Sequence, residues 1–350
     1  MPLCARVSRM CPAPPVSLTE PGKRAPRRVA PVAMNHFVSG AIEAARLKRV
    51  EWERTLPALL EKEFNAASKL ESLVGQHLLD KFTHEEDFHL RRDNSRWDLL
   101  LGPVGPRCID EEIYGTVTDP VYMSKKQLAA KRRFRGQQGQ LVDSEFKITC
   151  GLSKMPNCTV IAIGSNGQWS FEADIVSRTS CRVHTFDCTV PATVQVPPAL
   201  SDRVQLHRMC IGQRPPAGRG QFLYVPKTWN SRQWKDAWLS QAAFGNYSDL
   251  MKFAGLTTAP ALLKMDAEGY EWTTLQDIVS TNPTLVPQQL AVEMHFQTQM
   301  PGLPWFGRLK SPAEILALGN ALARAGYLFV RHARHTACRH CKEVLFLKPD

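Results

Sequence analysis

The stretch CTVIAIGSNGQWSFEADIVSRTSCRVHTFD, residues 158–187, limits what this chain can fold into more than any other. Thr159 to Ile163 is an apolar, β-branched run, short enough for a buried strand rather than a helix. Gly164-Ser165-Asn166-Gly167 follows as a tight polar turn, and Gln168 to Ser177 then carries Phe171 and Ile175 at helical spacing. A second apolar run, Val183 to Phe186, ends on Asp187. Strand, glycine turn, helix, strand and acid, with the acid about 20 residues beyond the turn, make the first half of a nucleotide-binding βαβ unit.

The glycines bear on which nucleotide. A dinucleotide needs G-x-G-x-x-G so that its pyrophosphate can approach backbone amides at a helix N-terminus. Asn166 and Trp169 stand where the second and third glycines belong, and the fingerprint fails. S-adenosylmethionine has no phosphate, and its reactive centre is a sulfonium cation. It needs a turn that lets backbone approach the methionine portion and an acid that accepts the ribose hydroxyls. Gly164, Ser165, Asn166 and Gly167 offer the first, and Asp187 the second. A plain βα turn with Asp187 as a helix cap is the other reading of the same residues.

Past Asp187 the alternation of strands and helices continues. Val204 to Ile211 reads as a third strand, and 213–248 as a long insertion whose Trp229, Trp234 and Trp238 suggest a folded cap on the substrate side. Asp249 to Ala254 is a short helix and Ala261 to Met265 a fourth strand, followed at once by Asp266-Ala267-Glu268-Gly269-Tyr270-Glu271-Trp272. Ligands of open α/β sheets sit beyond the carboxyl ends of the strands, which places Asp266 and Glu268 at the mouth of the crevice. Asp266 is expected to serve as a base, a metal ligand or a contact to the sulfonium side. Capping and the helix dipole also favour acids here, and Glu271 is read that way. Leu290 to Met294 is a fifth strand. It contains Glu293, unusual because a buried carboxylate is costly unless paired, and is followed by His295, a natural general base. Ala313 to Ala325 is an amphipathic helix stopped by Gly326, and Tyr327 to Val330 and Glu343 to Leu347 are a final antiparallel pair. His332, His335, Cys338, His340 and Cys341 between them are zinc-like residues. One C-x-x-C alone is a weak metal signature, so no metal is assigned.

The amino-terminal third is less informative. Residues 1–35 are rich in Pro, Arg and Ala without an apolar stretch, as in a disordered basic tail or an organellar transit peptide. His36 to about Lys81 is helical in pattern, a lead-in that packs on the catalytic domain or pairs with a second copy; 84–145 reads as connecting structure. The net charge of +11 falls in separate clusters, at 1–35, around Lys125 to Arg135 and around Arg331 to Lys342. That favours a solvated surface over one nucleic-acid face. The ten cysteines are scattered through predicted strands and loops, as expected of reduced thiols. Asn157-Cys158-Thr159 matches a glycosylation sequon but abuts a predicted core strand and is discounted; Asn246-Tyr247-Ser248 has no independent support. No run is long and apolar enough for a transmembrane helix, so a soluble cytoplasmic or organellar protein is expected.

Four segments together resemble the FkbM-related, methyltransferase-like proteins of the class I S-adenosylmethionine-dependent superfamily: Ile161–Glu172, Cys181–Thr189, Leu262–Trp272 and Ala291–His295. The resemblance spans residues 145–350. It implies a Rossmann-like α/β fold with a seven-stranded sheet in order 3-2-1-4-5-7-6, the last strand antiparallel, preceded here by the helical extension. It also implies S-adenosylmethionine bound at Gly164–Gly167 and Asp187; from their places at the strand ends, Asp266, Glu268 and His295 are expected around the acceptor. Methyl transfer to oxygen of a sugar, small metabolite or protein is the expected reaction. A non-catalytic binding module and an RNA methyltransferase are the rival readings.

Overall fold

A computed structural model describes residues 40–55, 58, 101–115, 146–190, 192–212, 243–267, 269–295, 312–334 and 341–349. The tail 1–35, Glu268, the tryptophan-bearing insertion and the loop after His295 lie outside these residues, as does the rest of the helical lead-in beyond a helix α1 over 41–55. Arg49 of α1 stacks over Trp52, 4.4 Å from its ring centre, and donates to Asn320 Oδ1.

Two short strands come first: β1 (Glu111–Tyr114) and β2 (Lys147–Cys150). Then β3 (Thr159–Ile163), α2 (Ser170–Arg178), β4 (Arg182–Phe186) and β5 (Val204–His207) carry the glycine turn and the acid. After β6 (Met209–Ile211), β7 (Ala243–Gly245) and α3 (Tyr247–Phe253) the chain enters β8 (Leu262–Met265), α4 (Glu271–Ser280) and β9 (Gln289–His295). It ends with α5 (Pro312–Arg324), β10 (Leu328–Arg334) and β11 (Cys341–Leu347).

Seven strands form one sheet in the order β10-β11-β9-β8-β3-β4-β5. Counted along the sheet this is 6-7-5-4-1-2-3, and β11 alone runs antiparallel to its neighbours β9 and β10. The expected α/β architecture and strand order are therefore those found. Strands inside such a sheet are covered on both faces, which is why their sequences are continuously apolar rather than alternating. Ile161, Ile163, Leu263, Met265, Val292 and Phe346 are all buried in one core cluster with Trp272, Leu275 and Leu318 from the covering helices.

Three expectations need correcting. The third apolar run is two strands, since Arg208 interrupts it and donates to the Val194 carbonyl at 2.6 Å. Its second half pairs in parallel with β7 in a separate sheet. The supposed connecting region contains β1, paired antiparallel with β2. β2 lies against β9 and β11, where the Gln289 side chain takes the Cys150 amide at 2.8 Å and donates to the Cys150 carbonyl at 2.7 Å.

The cysteines are the third. Every cysteine among the described residues is disulfide-bonded: Cys108–Cys150, Cys158–Cys181, Cys188–Cys210, and Cys341. Separations of 23 and 22 equal one step from a strand to its parallel neighbour: Cys158 and Cys181 precede β3 and β4, and Cys188 and Cys210 follow the paired β4 and β5. Cys158 and Cys181 immediately precede the registered pair Thr159 and Arg182. That spacing was the signal, and scatter along the chain concealed it.

A candidate active site at the carboxyl edge of the sheet

The turn after β3 is built to bring backbones together. Gly164 has φ +77°, Asn166 +52° and Gly167 +70°, a left-handed series that suits Gly and Asn. A Cβ on Gly164 would run into the carbonyl oxygen of Asp266. Replacing Gly164 with alanine should therefore cost more than the roughly 1–2 kcal/mol of a left-handed alanine, read as a lowered midpoint in chemical denaturation. Lys264, buried in the middle of the sheet on β8, donates its ammonium to the Gly164 carbonyl and fixes the turn from below.

Asp187 locks the same turn from its other side. Its Oδ2 accepts from the amides of Ser165 (2.8 Å) and Asn166 (2.6 Å), and its Oδ1 from the amide (2.7 Å) and hydroxyl (2.6 Å) of Thr189. Turn and acid are thus neighbours, and both carboxylate oxygens are engaged by protein donors. Asn166 Oδ1 is buried without a partner among the described residues. Beneath the turn, Glu172 of α2 accepts from Thr185 at 3.0 Å; burial raises its carboxyl, with the charge of Lys264 opposing.

One strand away lies a cluster of charges centred on Lys147 of β2, which is completely buried. Its ammonium is 2.7 Å from Glu343 Oε1 on β11, 3.7 Å from Glu293 Oε2 on β9 and 3.9 Å from Asp266 Oδ2 just past β8. Asp266 keeps a side-chain exposure of 22 %, against 7 % for Glu293 and 2 % for Glu343, so it is the one that faces outward. Burial pushes the Asp266 carboxyl up, but the ammonium charges of Lys147 and Lys264, with a hydrogen bond to Glu293, hold it well below the usual carboxylate range. Glu293 goes the other way: burial and the charges of Asp266 and Glu343 raise it far above that range.

His295 closes β9 beside them. Its Nδ1 is 3.2 Å from Glu271 Oε1 and its Nε2 3.8 Å from Glu293 Oε1. Glu271 accepts from the amides of Ala267 (2.8 Å) and Gly269 (2.9 Å) and is buried. Glu271 stands in the first turn of α4, as the capping and dipole reading expects, and there it also ties the turn after β8 and meets the imidazole. A carboxylate can only accept, so Nδ1 carries the proton in this contact. Glu293, His295 and Cys341 form the one group among the described residues with metal-ligand spacing. Cys341 is disulfide-bonded and offers no thiolate, and the Lys147 ammonium already neutralises Glu293's neighbours, so the trio is a poor metal site.

Of the eight residues expected at the site, the turn Gly164–Gly167 and Asp187 come together, as do Asp266 and His295; Glu268 lies outside the described residues. Lys147, Lys264 and Glu343 were missed. A lysine inside an apolar strand, as in LLKM, was the available signal for Lys264.

A family described as a methyltransferase domain matches residues 131–348. The chain belongs to that family. Its match begins before β2, so the strand that carries Lys147 is part of the methyltransferase domain rather than a linker to it. No curated protein matches the chain. Among solved structures it is similar to an Aeropyrum pernix fibrillarin with natively bound S-adenosyl-L-methionine (8% identity, 56% of this chain and 69% of that one, TM-score 0.30). It is also similar to an O-methyltransferase family 2 protein from Planctomyces limnophilus in complex with apigenin (12%, 61% and 53%, 0.27). A third is a 16S rRNA (adenine(1408)-N(1))-methyltransferase mutant from Catenulisporales acidiphilia (10%, 58% and 94%, 0.33). At such scores nothing about this chain follows from what those proteins act on. No helix among the described residues is long and apolar enough to cross a membrane.

Proposed function

We propose that this methyltransferase domain uses S-adenosylmethionine and methylates oxygen, a hydroxyl or carboxyl on a sugar, small metabolite or protein, in the manner of the FkbM-related proteins it resembles. The observation that carries the reading is Asp266: a carboxylate at the mouth of the crevice, partly exposed, touching the glycine turn through its backbone and kept ionised by buried lysines. A fixed anion in that place suits a cationic donor.

The residues present fit such a donor. The unpartnered acceptor Asn166 Oδ1 would take its ammonium group, the Gly164–Gly167 backbone its methionine portion, and Asp187 its ribose hydroxyls by sharing oxygens that now hold the turn. When bound, S-adenosylmethionine supplies a methyl group already activated on a sulfonium sulfur. The protein's task is then alignment and removal of the acceptor's proton. Asp266 is too weak a base for that, since its carboxyl titrates so low; its part is electrostatic. His295, whose Nδ1 faces Glu271, is the base on this reading and takes the proton. A hydroxyl acceptor needs its proton removed, which a positioned imidazole can do, whereas a carboxyl acceptor arrives already ionised.

Calorimetric titration of the full chain with S-adenosylmethionine tests the reading. Saturable one-site binding is expected, and Asp187→Asn should weaken it about 10- to 100-fold, the loss of one charge-assisted hydrogen bond worth about 1.5–3 kcal/mol. A wild-type chain that takes up no cofactor would leave only a binding module with a methyltransferase sheet.

A further inference from the structure

All seven cysteines among the described residues are in disulfides, and at least two of the bonds join segments flanking neighbouring parallel strands. Cytosolic and nuclear chains keep their thiols reduced, whereas secreted and lumenal chains do not. In the secretory route the pattern Asn-x-Ser/Thr becomes a substrate. The chain carries that pattern at Asn157-Cys158-Thr159.

The core strand begins at Thr159, so Asn157 lies outside it, exposed, in a turn with φ +49° that asparagine tolerates. The turn is pinned by its backbone: the Asn157 amide donates to Ser180 Oγ at 3.0 Å, Ser180 Oγ donates to the Met155 carbonyl, and Cys158 is joined to Cys181. The Asn157 side chain itself engages nothing among the described residues. Its position matters as much. Asn157 precedes β3, at the amino end of the parallel strands, whereas Gly164, Asp187, Asp266 and His295 lie at or beyond their carboxyl ends. A bulky group on Asn157 leaves the crevice clear. Asn246-Tyr247-Ser248 differs on each count: Asn246 follows β7 directly, its side chain caps α3 by accepting from the Asp249 amide at 2.9 Å, and Tyr247 is fully buried.

We infer that this chain matures in an oxidising, glycosylating compartment and carries an N-linked glycan on Asn157. The amide Nδ2 of Asn157 forms a bond to the anomeric carbon of a lipid-diphosphate-linked oligosaccharide. The bond from that carbon to phosphate oxygen breaks, the lipid diphosphate leaves with the electron pair, and the amide gives up one proton. Each disulfide forms as two thiols pass two electrons and two protons to a disulfide-bearing oxidant. Chain order lets both happen: Asn157 emerges with Cys158 still unpaired, because Cys181 comes 23 residues later.

The test is production of the full chain in cultured eukaryotic cells behind a cleavable secretory leader. Peptide N-glycosidase is then applied in heavy-oxygen water, and peptides are read by mass spectrometry. The expected result is position 157 converted to heavy aspartate, with Cys158 and Cys181 recovered as a linked pair. Thr159→Val, which keeps the shape of the strand residue, should lose the label, and Thr159→Ser should keep it. An unmodified Asn157 in secreted protein, or a label that survives in Thr159→Val, overturns the site. The compartment is tested by making the same chain without the leader in a reducing cytosol. It should give lower yield and a lower melting temperature than the oxidised protein; equal stability with free thiols overturns the assignment.

Discussion

Lys147→Met should destabilise the protein by about 3–5 kcal/mol, the usual result of removing one partner from a buried ionic cluster. The ammonium is completely buried and faces Glu343, Glu293 and Asp266 from three different strands. Methionine fills similar space but leaves these acids confronting one another without the ammonium at their centre, Lys264 remaining beside Asp266. The loss should depend on pH, and its sign follows from Asp266. A carboxyl held below its ordinary value stabilises the fold above that ordinary value, and the contribution fades as pH falls through the folded value. Without Lys147 the Asp266 carboxyl rises, and protonation relieves the variant earlier than the wild type. Denaturation curves at pH 7 and pH 4 should thus show a wide gap that narrows in acid. A gap independent of pH would mean that the lysine acts through packing alone. Glu343→Gln, which removes the closest of the three partners, should reproduce part of the effect at pH 7.

Lys147 also marks the limit of what the sequence conveys. The alternation from Thr159 to Leu347 was legible because each strand is a short apolar run and each helix has its own periodicity, so local pattern sufficed for the order of elements. Glu293 inside LAVEMH and His295 at its end were visible as misfits within such a run. FKITC, by contrast, offers no local reason for its lysine, because the partner Glu343 lies 196 residues away and is brought near only by docking β2 across the sheet. Glu271 was legible only in part, for a related cause. Its place at a helix start predicts a dipole contact, and only the return of β9 beside it gives it an imidazole to aim. Asp187 was placed correctly beside the turn, but its hydrogen bonds to Ser165 and Asn166 show a residue that shapes the turn besides any ribose it holds. The cysteines repeat the point: pairing is a property of strand register, and separations of one strand-to-neighbour step become meaningful only once parallel neighbours are assumed.

His295→Gln should lower methyl transfer by about 10²- to 10⁴-fold, the ordinary worth of a positioned general base, while cofactor affinity stays within a few-fold. Glutamine retains a donor for Glu271 and comparable volume, so the turn after β8 keeps its ties through the Ala267 and Gly269 amides. What it lacks is an imidazole, the group that takes the acceptor's proton in the proposed mechanism. Turnover can be followed as label passing from methyl-labelled S-adenosylmethionine into fractions of a cell lysate, which identifies the acceptor at the same time. The split between binding and rate is the informative part. If His295 only props up the sheet edge, the variant should lose stability and cofactor affinity together and its rate in proportion. If it takes the proton, calorimetry should be nearly unchanged while the rate collapses. Asp266→Asn separates the neighbouring role: removing a fixed anion rather than a base should weaken binding of the cationic donor and of its neutral, demethylated product unequally. A His295→Gln chain that transfers label at the wild-type rate would remove the histidine from the chemistry and leave the acceptor's deprotonation to solvent.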